Sequence, residues 1–368
     1  MRVAHLISNY KFTGPVDPAL LVARGQREAG LEVSVFLGRP PSGQTGPAAQ
    51  VALKQGLRVC QTPCLRKHRR FGVDFLSAGE LRTLLDRFKP DVVHTHLGND
   101  FRLAAKAGSK KIVHSFYCSA LEEIPRWLVR LIVRRAYGVV AHSARLARAL
   151  EKLGVHCLEI PPPLDLSRFD PGRPLEVEIP GYEGAVAAGI VARVQARRRF
   201  DLLLNAFKRA VEVVPQLRLV LVGRGTRLRE VAADPVERMG LREVVRFTGY
   251  VTGDSYVALL RSFAFVVFLV PGTDGTCRAL REALALGKPA LSFRKGMIPE
   301  ILQEGKCGLL VEETVEALRD GLIQLALDQK LRARLGECAR ERAAAFNYKE
   351  IAGEITRFYT GAGSAVFR

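Results

Sequence analysis

Short apolar runs alternate with longer segments of helical period along most of this chain. Runs rich in Val and Ile, flanked by polar turns, are typical of buried strands. Apolar residues at helical spacing fill the stretches between them. This alternation predicts doubly wound α/β architecture with parallel sheets, and because it occurs in two series, it predicts two domains.

The first series predicts strands at residues 3–7, 33–37, 92–96, 112–116 and 138–142, with helices at 18–29 and 80–88. The second series predicts strands at 187–191, 217–222, 244–247, 264–270 and 289–293, with helices at 201–214 and 276–286. From residue 315 onward the pattern is almost purely helical.

Residues 161–184 are dense in Pro and Gly, which neither a helix nor a strand accommodates in its interior, so they predict an interdomain connection. We therefore expect an N-terminal domain over 1–163, a linker over 164–184 and a C-terminal domain over 185–345. A C-terminal helix within 346–368 is expected to pack back toward the N-terminal domain. Ligands of such domains bind beyond the carboxyl ends of the strands, so the loops there should carry the chemistry.

The chain is strongly basic, with a formal net charge of +19 over 368 residues. The first 165 residues hold 25 Lys and Arg against 13 Asp and Glu, so the excess leans toward the N-terminal half. Such a balance favours anionic partners, whether nucleic acid, acidic lipid or phosphorylated substrates.

The seven cysteines are scattered, which favours reduced thiols. No apolar run approaches the length of a membrane span, so we expect a cytoplasmic protein.

The stretch 271–289 is the most informative for chemistry. Asp274 and Glu282 stand eight residues apart, across a Gly-Thr loop and the first turns of a helix. Backbone N–H groups at a helix start favour phosphate oxygens, and a carboxylate two turns in can accept hydrogen bonds from ribose hydroxyls. The alternative is that Asp274 caps a helix and Glu282 lies on a solvated face.

Arginines follow the first strand of the second series. Arg193 and Arg198 lie between that strand and the next helix, where cations can neutralise a pyrophosphate. Arginine clusters also occur on ordinary solvated surfaces. The carboxylate pair in the same half favours the ligand-binding interpretation.

These motifs, in this order and with Gly287 and Pro289 after the acidic pair, resemble the retaining glycosyltransferases of family 4, also called glycosyl transferases group 1. The resemblance implies the GT-B fold, α/β with two facing Rossmann-like domains, parallel sheets and an active-site cleft between them. It also implies that Glu282 holds the donor ribose, that Asp274 contacts the donor sugar, and that the two arginines hold the diphosphate.

The catalytic residues implied in this way are Asp274, Arg193 and Arg198. The donor-binding residues implied are Gly14, Arg193, Arg198, Asp274, Gly275, Thr276, Cys277, Arg278 and Glu282. Asp274 stands where the family usually has Glu, and Cys277 and Arg278 replace a Gly and an apolar residue, so an unusual donor sugar is expected.

The N-terminal half resembles the family more loosely. Gly14 follows the first strand, as does the glycine loop that approaches the donor phosphates in the family. Tyr117 stands where many relatives have a histidine near the reacting sugar. His96, His114 and Tyr117 are therefore the acceptor-side candidates, with His114 equally well explained as a satisfied strand histidine.

The chain contains no Asp-x-Asp pair, the usual carboxylate clamp for a divalent cation on a nucleotide sugar, so we expect neither metal nor cofactor. The co-substrate is a nucleoside-diphosphate sugar. The resemblance implies transfer to an acceptor hydroxyl with retention of configuration. A nucleotide-sugar epimerase of the same fold, or a non-enzymatic basic protein that binds nucleic acid or other anions, remains an alternative. No basic-aromatic recognition motif supports nucleic-acid binding.

Residues 122–135 combine arginines at helical spacing with Trp127 and aliphatic neighbours, a composition that suits an interfacial helix on anionic lipid. Basic runs at 65–70 and 106–111 add to it. An ordinary surface helix, with one face buried, would give the same pattern. We expect peripheral binding to the inner face of the cell membrane, and an anionic lipid-linked glycan or lipopolysaccharide-type acceptor.

Overall fold

The computed structural model describes residues 1–12, 14–66, 74–175, 184–272 and 275–361. The predicted site residue Asp274, linker residues 176–183, basic residues 67–70 and the chain end 362–368 lie outside this part of the chain. The chain divides into two compact units. Unit 1 comprises Met1–Leu164, Asp274–Thr276 and Phe346–Arg368, and unit 2 comprises Asp165–Thr273 and Cys277–Ala345.

Unit 1 is built on a seven-stranded parallel sheet in the order β3-β2-β1-β4-β5-β6-β7. Its strands are β1 (Arg2–Ile7), β2 (Glu32–Gly38), β3 (Arg58–Thr62), β4 (Val92–Thr95), β5 (Ile112–Phe116), β6 (Gly138–Ala141) and β7 (Cys157–Glu159). Its helices up to this point are α1 (Val16–Glu28), α2 (Pro47–Lys54), α3 (Asp74–Phe88), α4 (Gly98–Lys106), α5 (Arg126–Arg135) and α6 (Ala144–Glu151).

Unit 2 is built on a six-stranded parallel sheet in the order β10-β9-β8-β11-β12-β13. Its strands are β8 (Val186–Val191), β9 (Leu217–Val222), β10 (Val245–Gly249), β11 (Phe265–Val267), β12 (Ala290–Phe293) and β13 (Gly308–Val311). Its helices are α7 (Phe200–Val213), α8 (Asp234–Arg238), α9 (Gly253–Ser262), α10 (Arg278–Ala285), α11 (Ile298–Ile301), α12 (Val315–Leu327) and α13 (Gln329–Ala344).

The central strands of both sheets are buried along their length, because helices cover the two faces of each sheet. This requirement explains the continuous Val, Ile and Leu runs. The strands that the periodicity did not predict are β3, β7 and β13, which lie at or next to sheet edges and carry partly exposed residues. Their weaker apolar signal follows from that position. The two parallel α/β units confirm the fold class.

The last helix, α14 (Tyr348–Tyr359), belongs to unit 1. The Asn347 side chain caps its first turn by accepting a hydrogen bond from the Lys349 amide at 3.0 Å. Ile351, Ile355 and Phe358 are buried in a cluster with valines of β1, β4, β5 and β6. The chain therefore returns after unit 2 to complete the core of unit 1.

α14 packs directly against α1 at a glycine. A Cβ atom added to Gly25 would lie 2.6 Å from the Cβ of Ala352 and 3.1 Å from the Tyr348 carbonyl oxygen. Such distances are below van der Waals contact, so only glycine permits this approach of the two helices.

We predict that Gly25→Ala lowers the free energy of unfolding by about 1–3 kcal/mol, the usual cost of overpacking a close contact. Gly353→Ala, in α14 with open space around the added Cβ, is the matched control and should stabilise the protein by up to about 1 kcal/mol. Urea unfolding of the three proteins measures both effects. A Gly25→Ala protein as stable as the Gly353→Ala protein would contradict the close helix contact.

Candidate functional site

In unit 2 the strands β8 and β11 are neighbours, and the chain continues from β8 to β9 on one side and from β11 to β12 on the other. The loops after β8 and β11 therefore diverge at this point of the sheet. Ligands of open α/β sheets bind at such a position. Arg198 follows β8 and its Nη1 donates a hydrogen bond to the Val270 carbonyl oxygen at 2.6 Å. This bond joins the loop after β8 to the loop after β11.

Arg193 lies in the same loop and is exposed. None of the residues described in the structure forms an ion pair with it. Arg199, by contrast, is bonded to Asp201 and Glu313. Of the two arginines predicted for phosphate binding, Arg198 thus contacts backbone and Arg193 presents its charge to solvent.

Two glycines hold the loop of Arg193 in place. A Cβ atom at Gly223 would lie 2.1 Å from the Ala192 carbonyl oxygen, and one at Gly225 would lie 2.0 Å from the Val194 carbonyl oxygen. The loop after β9 therefore packs backbone to backbone against the loop after β8, which any larger residue would prevent.

Helix α10 begins at the predicted donor loop. Thr276 and Cys277 are both buried, and Cys277 occupies the N-cap position with φ +48°, in the left-handed region. That conformation costs a non-glycine residue about 1–2 kcal/mol, which agrees with a glycine at this position in the resembling family. Gly275 also has a positive φ, of +69°. The geometry of Asp274 lies outside the described residues, so its role stays a prediction.

Glu282 lies in the second turn of α10 and is only 2% exposed. Its Oε1 accepts a hydrogen bond from Arg278 Nε at 2.7 Å, and its Oε2 accepts one from the Tyr256 hydroxyl at 2.6 Å. A solvated helix face, the alternative interpretation of this residue, is therefore wrong. Tyr256 is a residue of this site that the sequence did not indicate, because it lies in α9 and outside any motif.

In unit 1, Gly14 lies in the turn between β1 and α1. In the same unit, the Asp100 carboxylate accepts hydrogen bonds from the backbone N–H groups of Ser8 at 2.7 Å and Leu97 at 2.8 Å. It thereby joins the loop after β1 to the loop after β4. Burial raises the pKa of Asp100 to about 7, against the lowering by these donors. Sequence reasoning missed Asp100, although an acid soon after a strand and at the start of a helix was an available signal.

Three histidines and two tyrosines lie in one buried hydrogen-bond network at the carboxyl ends of β1, β4 and β5. The Tyr117 hydroxyl is 2.7 Å from His96 Nδ1, His96 Nε2 is 2.9 Å from His5 Nδ1, and His5 Nε2 is 2.9 Å from the Gln26 amide oxygen. Because the amide oxygen only accepts, His5 Nε2 carries the proton. His96 then donates from Nε2 and accepts the Tyr117 proton at Nδ1.

The network continues through α14. The Gln26 amide donates to the Tyr359 hydroxyl at 3.2 Å, which donates to His94 Nδ1 at 2.5 Å, and His94 Nε2 donates to the Ser115 hydroxyl at 2.8 Å. These seven side chains form one chain of hydrogen bonds from Tyr117 to Ser115. With all three histidines neutral, as their burial favours, every bond in this chain runs in the same direction.

The acceptor-side candidates have these internal partners. His96 and Tyr117 are buried members of the hydrogen-bond network, and His114 Nδ1 is hydrogen-bonded to the Thr95 hydroxyl at 2.8 Å. His114 also packs against Phe101 and Phe116. The structure therefore buries all three residues in unit 1, but it brings only His96 and Tyr117 into direct contact, and their acceptor-side role stays a prediction.

His5, His94 and His96 are also close enough to be tested as a metal site, with one ring nitrogen of each within 4.8 Å of the others. Zn²⁺ requires about 2.0–2.1 Å to each nitrogen and a free lone pair on it. Both nitrogens of each imidazole already form hydrogen bonds within the network. The three histidines therefore fit the hydrogen-bond network and do not fit a metal ion.

We predict that the free energy of unfolding falls as the pH is lowered from 7 to 5. Burial lowers the pKa of His5 to about 4 and that of His114 to about 3, and lowers those of His94 and His96 well below the ordinary 6.5. Below pH 6.5 the unfolded chain binds protons that these folded histidines do not, which costs about 2 kcal/mol per histidine at pH 5.

Asp100 acts in the opposite direction, since its raised pKa stabilises the folded state in acid and that contribution is lost as the pH rises toward 7. Because four histidines act against this single carboxylate, the net free energy of unfolding falls in acid. Urea unfolding at pH 7 and pH 5 measures the net effect, and His114→Gln should make it smaller. Equal stability at both values would contradict buried neutral histidines.

Both halves of the chain match known protein families. The family described as Glycosyl transferases group 1 matches residues 179–342, and Glycosyltransferase Family 4 matches residues 19–168. A phosphatidyl-myo-inositol mannosyltransferase of Mycolicibacterium smegmatis is 28% identical over 294 residues, which cover 75% of this chain and 73% of that protein.

Among solved structures, Anabaena HepE in complex with UDP superimposes with a TM-score of 0.80 at 17% identity, covering 98% of this chain and 100% of HepE. The lipopolysaccharide outer core galactosyltransferase WaaB gives 0.67 at 14% identity, covering 96% and 100%. These likenesses concern the fold, and the family matches confirm the resemblance found in the motifs. The chain belongs to the family 4 glycosyltransferases and has the GT-B fold.

Proposed function

We propose that this glycosyltransferase takes its sugar from a nucleoside-diphosphate sugar held in unit 2 and transfers it to an acceptor hydroxyl with retention of configuration. The observation that carries the proposal is the buried carboxylate of Glu282, near the start of α10. Helix α10 follows β11, and the loop of Arg193 and Arg198 follows β8, the neighbouring strand of the same sheet. The solved complex of HepE with UDP supports a nucleoside diphosphate as the ligand.

Each group would act on a different part of the donor. Glu282 accepts hydrogen bonds from the ribose hydroxyls, and the guanidinium groups of Arg193 and Arg198 neutralise the diphosphate. Backbone N–H groups at the start of α10 add positive potential for the phosphate oxygens. Because these charges also stabilise the departing nucleoside diphosphate, they lower the barrier to transfer.

We also propose that the reaction needs no metal ion. The chain lacks an Asp-x-Asp pair, and the arginines supply the positive charge that a divalent cation would provide. The contact of Asp274 with the donor sugar, inferred from the family resemblance, completes the proposed catalytic set.

The family membership favours a transferase over the alternatives. A nucleotide-sugar epimerase would release free nucleotide without consuming an acceptor, and a nucleic-acid-binding protein has only the net charge in its support. Neither family match points to these activities. A product assay that detects glycosylated acceptor distinguishes the transferase from the epimerase.

We propose an anionic, lipid-linked glycan or lipopolysaccharide-type acceptor at a membrane surface. The names of the mannosyltransferase relative and of WaaB support this class of acceptor. Among the described residues, no helix is long and apolar enough to cross a bilayer. Contact with lipid would therefore be made by a surface element.

Helix α5 of unit 1 has the surface that peripheral binding requires. Leu128 and Ile132 are buried, while Trp127 and Val133 are 49% and 46% exposed on the outer side of the helix. The arginines of α5 are exposed as well, and no acid in the described part of the chain pairs with them. Exposed apolar side chains between unpaired cations are more typical of a membrane interface than of an ordinary surface helix.

We predict that a nucleoside diphosphate raises the melting temperature of the wild-type protein but not of Glu282→Ala or Arg193→Ala. A thermal-shift screen against UDP, GDP, ADP and CMP measures this, and a saturating ligand at about 100 times its Kd stabilises by about 2.7 kcal/mol. Arg238→Ala, an exposed arginine of α8, is the control and should respond as the wild type does. No shift with any nucleotide would contradict the donor site.

We predict that the protein sediments with phosphatidylglycerol-containing vesicles and not with pure phosphatidylcholine vesicles. Arg130→Glu with Arg134→Glu should weaken this binding at least about tenfold, since each basic charge near an anionic surface contributes about 1 kcal/mol. The same reversal at Arg238 and Arg242, on the surface of unit 2, is the control. Equal losses in the two double variants would show that net charge, and not the α5 surface, determines binding.

A further inference from the structure

The carboxylate of Glu282 is fixed from two directions within unit 2. Arg278 precedes it by one helical turn and binds Oε1, while Tyr256 in α9 binds Oε2. The two donors therefore come from different helices. Rotation of the carboxylate about its terminal bond would break both hydrogen bonds at once.

Burial makes these two bonds necessary. A carboxylate withdrawn from water is destabilised unless hydrogen bonds or a cation replace its hydration, and here Arg278 supplies a charge and Tyr256 a neutral donor. Burial and the neighbouring Glu282 charge raise the pKa of the Tyr256 hydroxyl well above its ordinary value. The tyrosine therefore keeps its proton and remains a donor.

The pair of bonds also defines what the carboxylate can still accept. An ionised carboxylate offers about four acceptor positions on its two oxygens. One bond to each oxygen leaves acceptor capacity on both, which matches a ligand that presents two neighbouring hydroxyl donors. The vicinal hydroxyls of a ribose are such a pair.

The Tyr256 ring is itself immobilised. It is buried in unit 2 and packs edge-to-face against Phe169, with ring centroids 6.4 Å apart. Arg278 is 32% exposed at its side chain, so its bond to Glu282 lies toward the surface of the helix start. One partner is thus a rigid internal support and the other a charged support at the margin of the site.

We propose that Tyr256 and Arg278 are positioning residues that orient Glu282 toward the ribose hydroxyls, and that they thereby set the preference for ribonucleotides over 2′-deoxyribonucleotides. The inference rests on the proposed donor site in unit 2. It differs from a purely structural role, in which the two bonds would only fasten α9 to α10 and would affect every ligand equally.

The test is the ratio of dissociation constants for ribo- and 2′-deoxyribonucleoside diphosphates, measured by titration calorimetry with UDP, GDP and ADP and their 2′-deoxy forms. The wild type should prefer the tightest-binding ribonucleotide over its deoxy form by about tenfold, the contribution of one hydrogen bond to a charged group. Tyr256→Phe and Arg278→Met should each lose most of this preference, because they weaken ribonucleotide binding more than deoxynucleotide binding.

The chain provides a matched control for the tyrosine. Tyr348 donates a hydrogen bond to Glu28 Oε2 at 2.8 Å in unit 1, so Tyr348→Phe removes the same kind of bond elsewhere. It should leave the preference as in the wild type. Thermal unfolding of each variant checks that it is folded, and Arg278→Met tests the proposal independently if Tyr256→Phe fails to fold.

The outcomes separate the two proposals. A wild type that binds no nucleoside diphosphate overturns the donor site and the positioning role together. A wild type that binds but does not prefer the ribonucleotide, or variants that weaken both ligands equally, overturn the positioning role and leave the donor site standing. A reduced preference in both Tyr256→Phe and Arg278→Met, but not in Tyr348→Phe, supports the positioning role.

Discussion

The need to satisfy polar side chains withdrawn from water is the constraint on which the functional regions of both units depend. In unit 2 it fixes the Glu282 carboxylate between Tyr256 and Arg278. In unit 1 it accounts for a chain of hydrogen bonds that includes three buried histidines. A buried group without its partner costs more than a typical single interaction contributes, so each arrangement persists only as a whole.

These hydrogen bonds also explain why a helix from the far end of the chain belongs to unit 1. Tyr359 of α14 supplies one link, between Gln26 of α1 and His94 of β4. The same helix covers the apolar ends of the central strands. Removing it would expose that core and would break one hydrogen bond each of the buried Gln26 and His94. Apolar packing and polar pairing therefore favour the same position for the helix.

The positions of the predicted donor-site residues were accessible from the sequence because they depend on short motifs. Glu282, Arg193 and Arg198 occupy the loop and helix positions that the strand pattern predicts. The partners of those residues were not accessible. Tyr256 lies 26 positions before Glu282, and nothing in the intervening sequence indicates that α9 lies against α10 at that residue. The partner of His96 was not accessible for the same reason, since its pairing with His5 joins residues 91 positions apart.

The sequence by itself determined the two α/β series, the central strands and the family, because hydrophobic periodicity and local motifs are properties of neighbouring residues. Only the tertiary structure decided the edge strands β3, β7 and β13, the close contact of α14 with α1, and the partners of each buried polar group. These depend on which distant segments meet once the sheets form. For Glu282 in particular, the sequence predicted a carboxylate for a ligand, and the fold decided that it is buried and hydrogen-bonded to two donors.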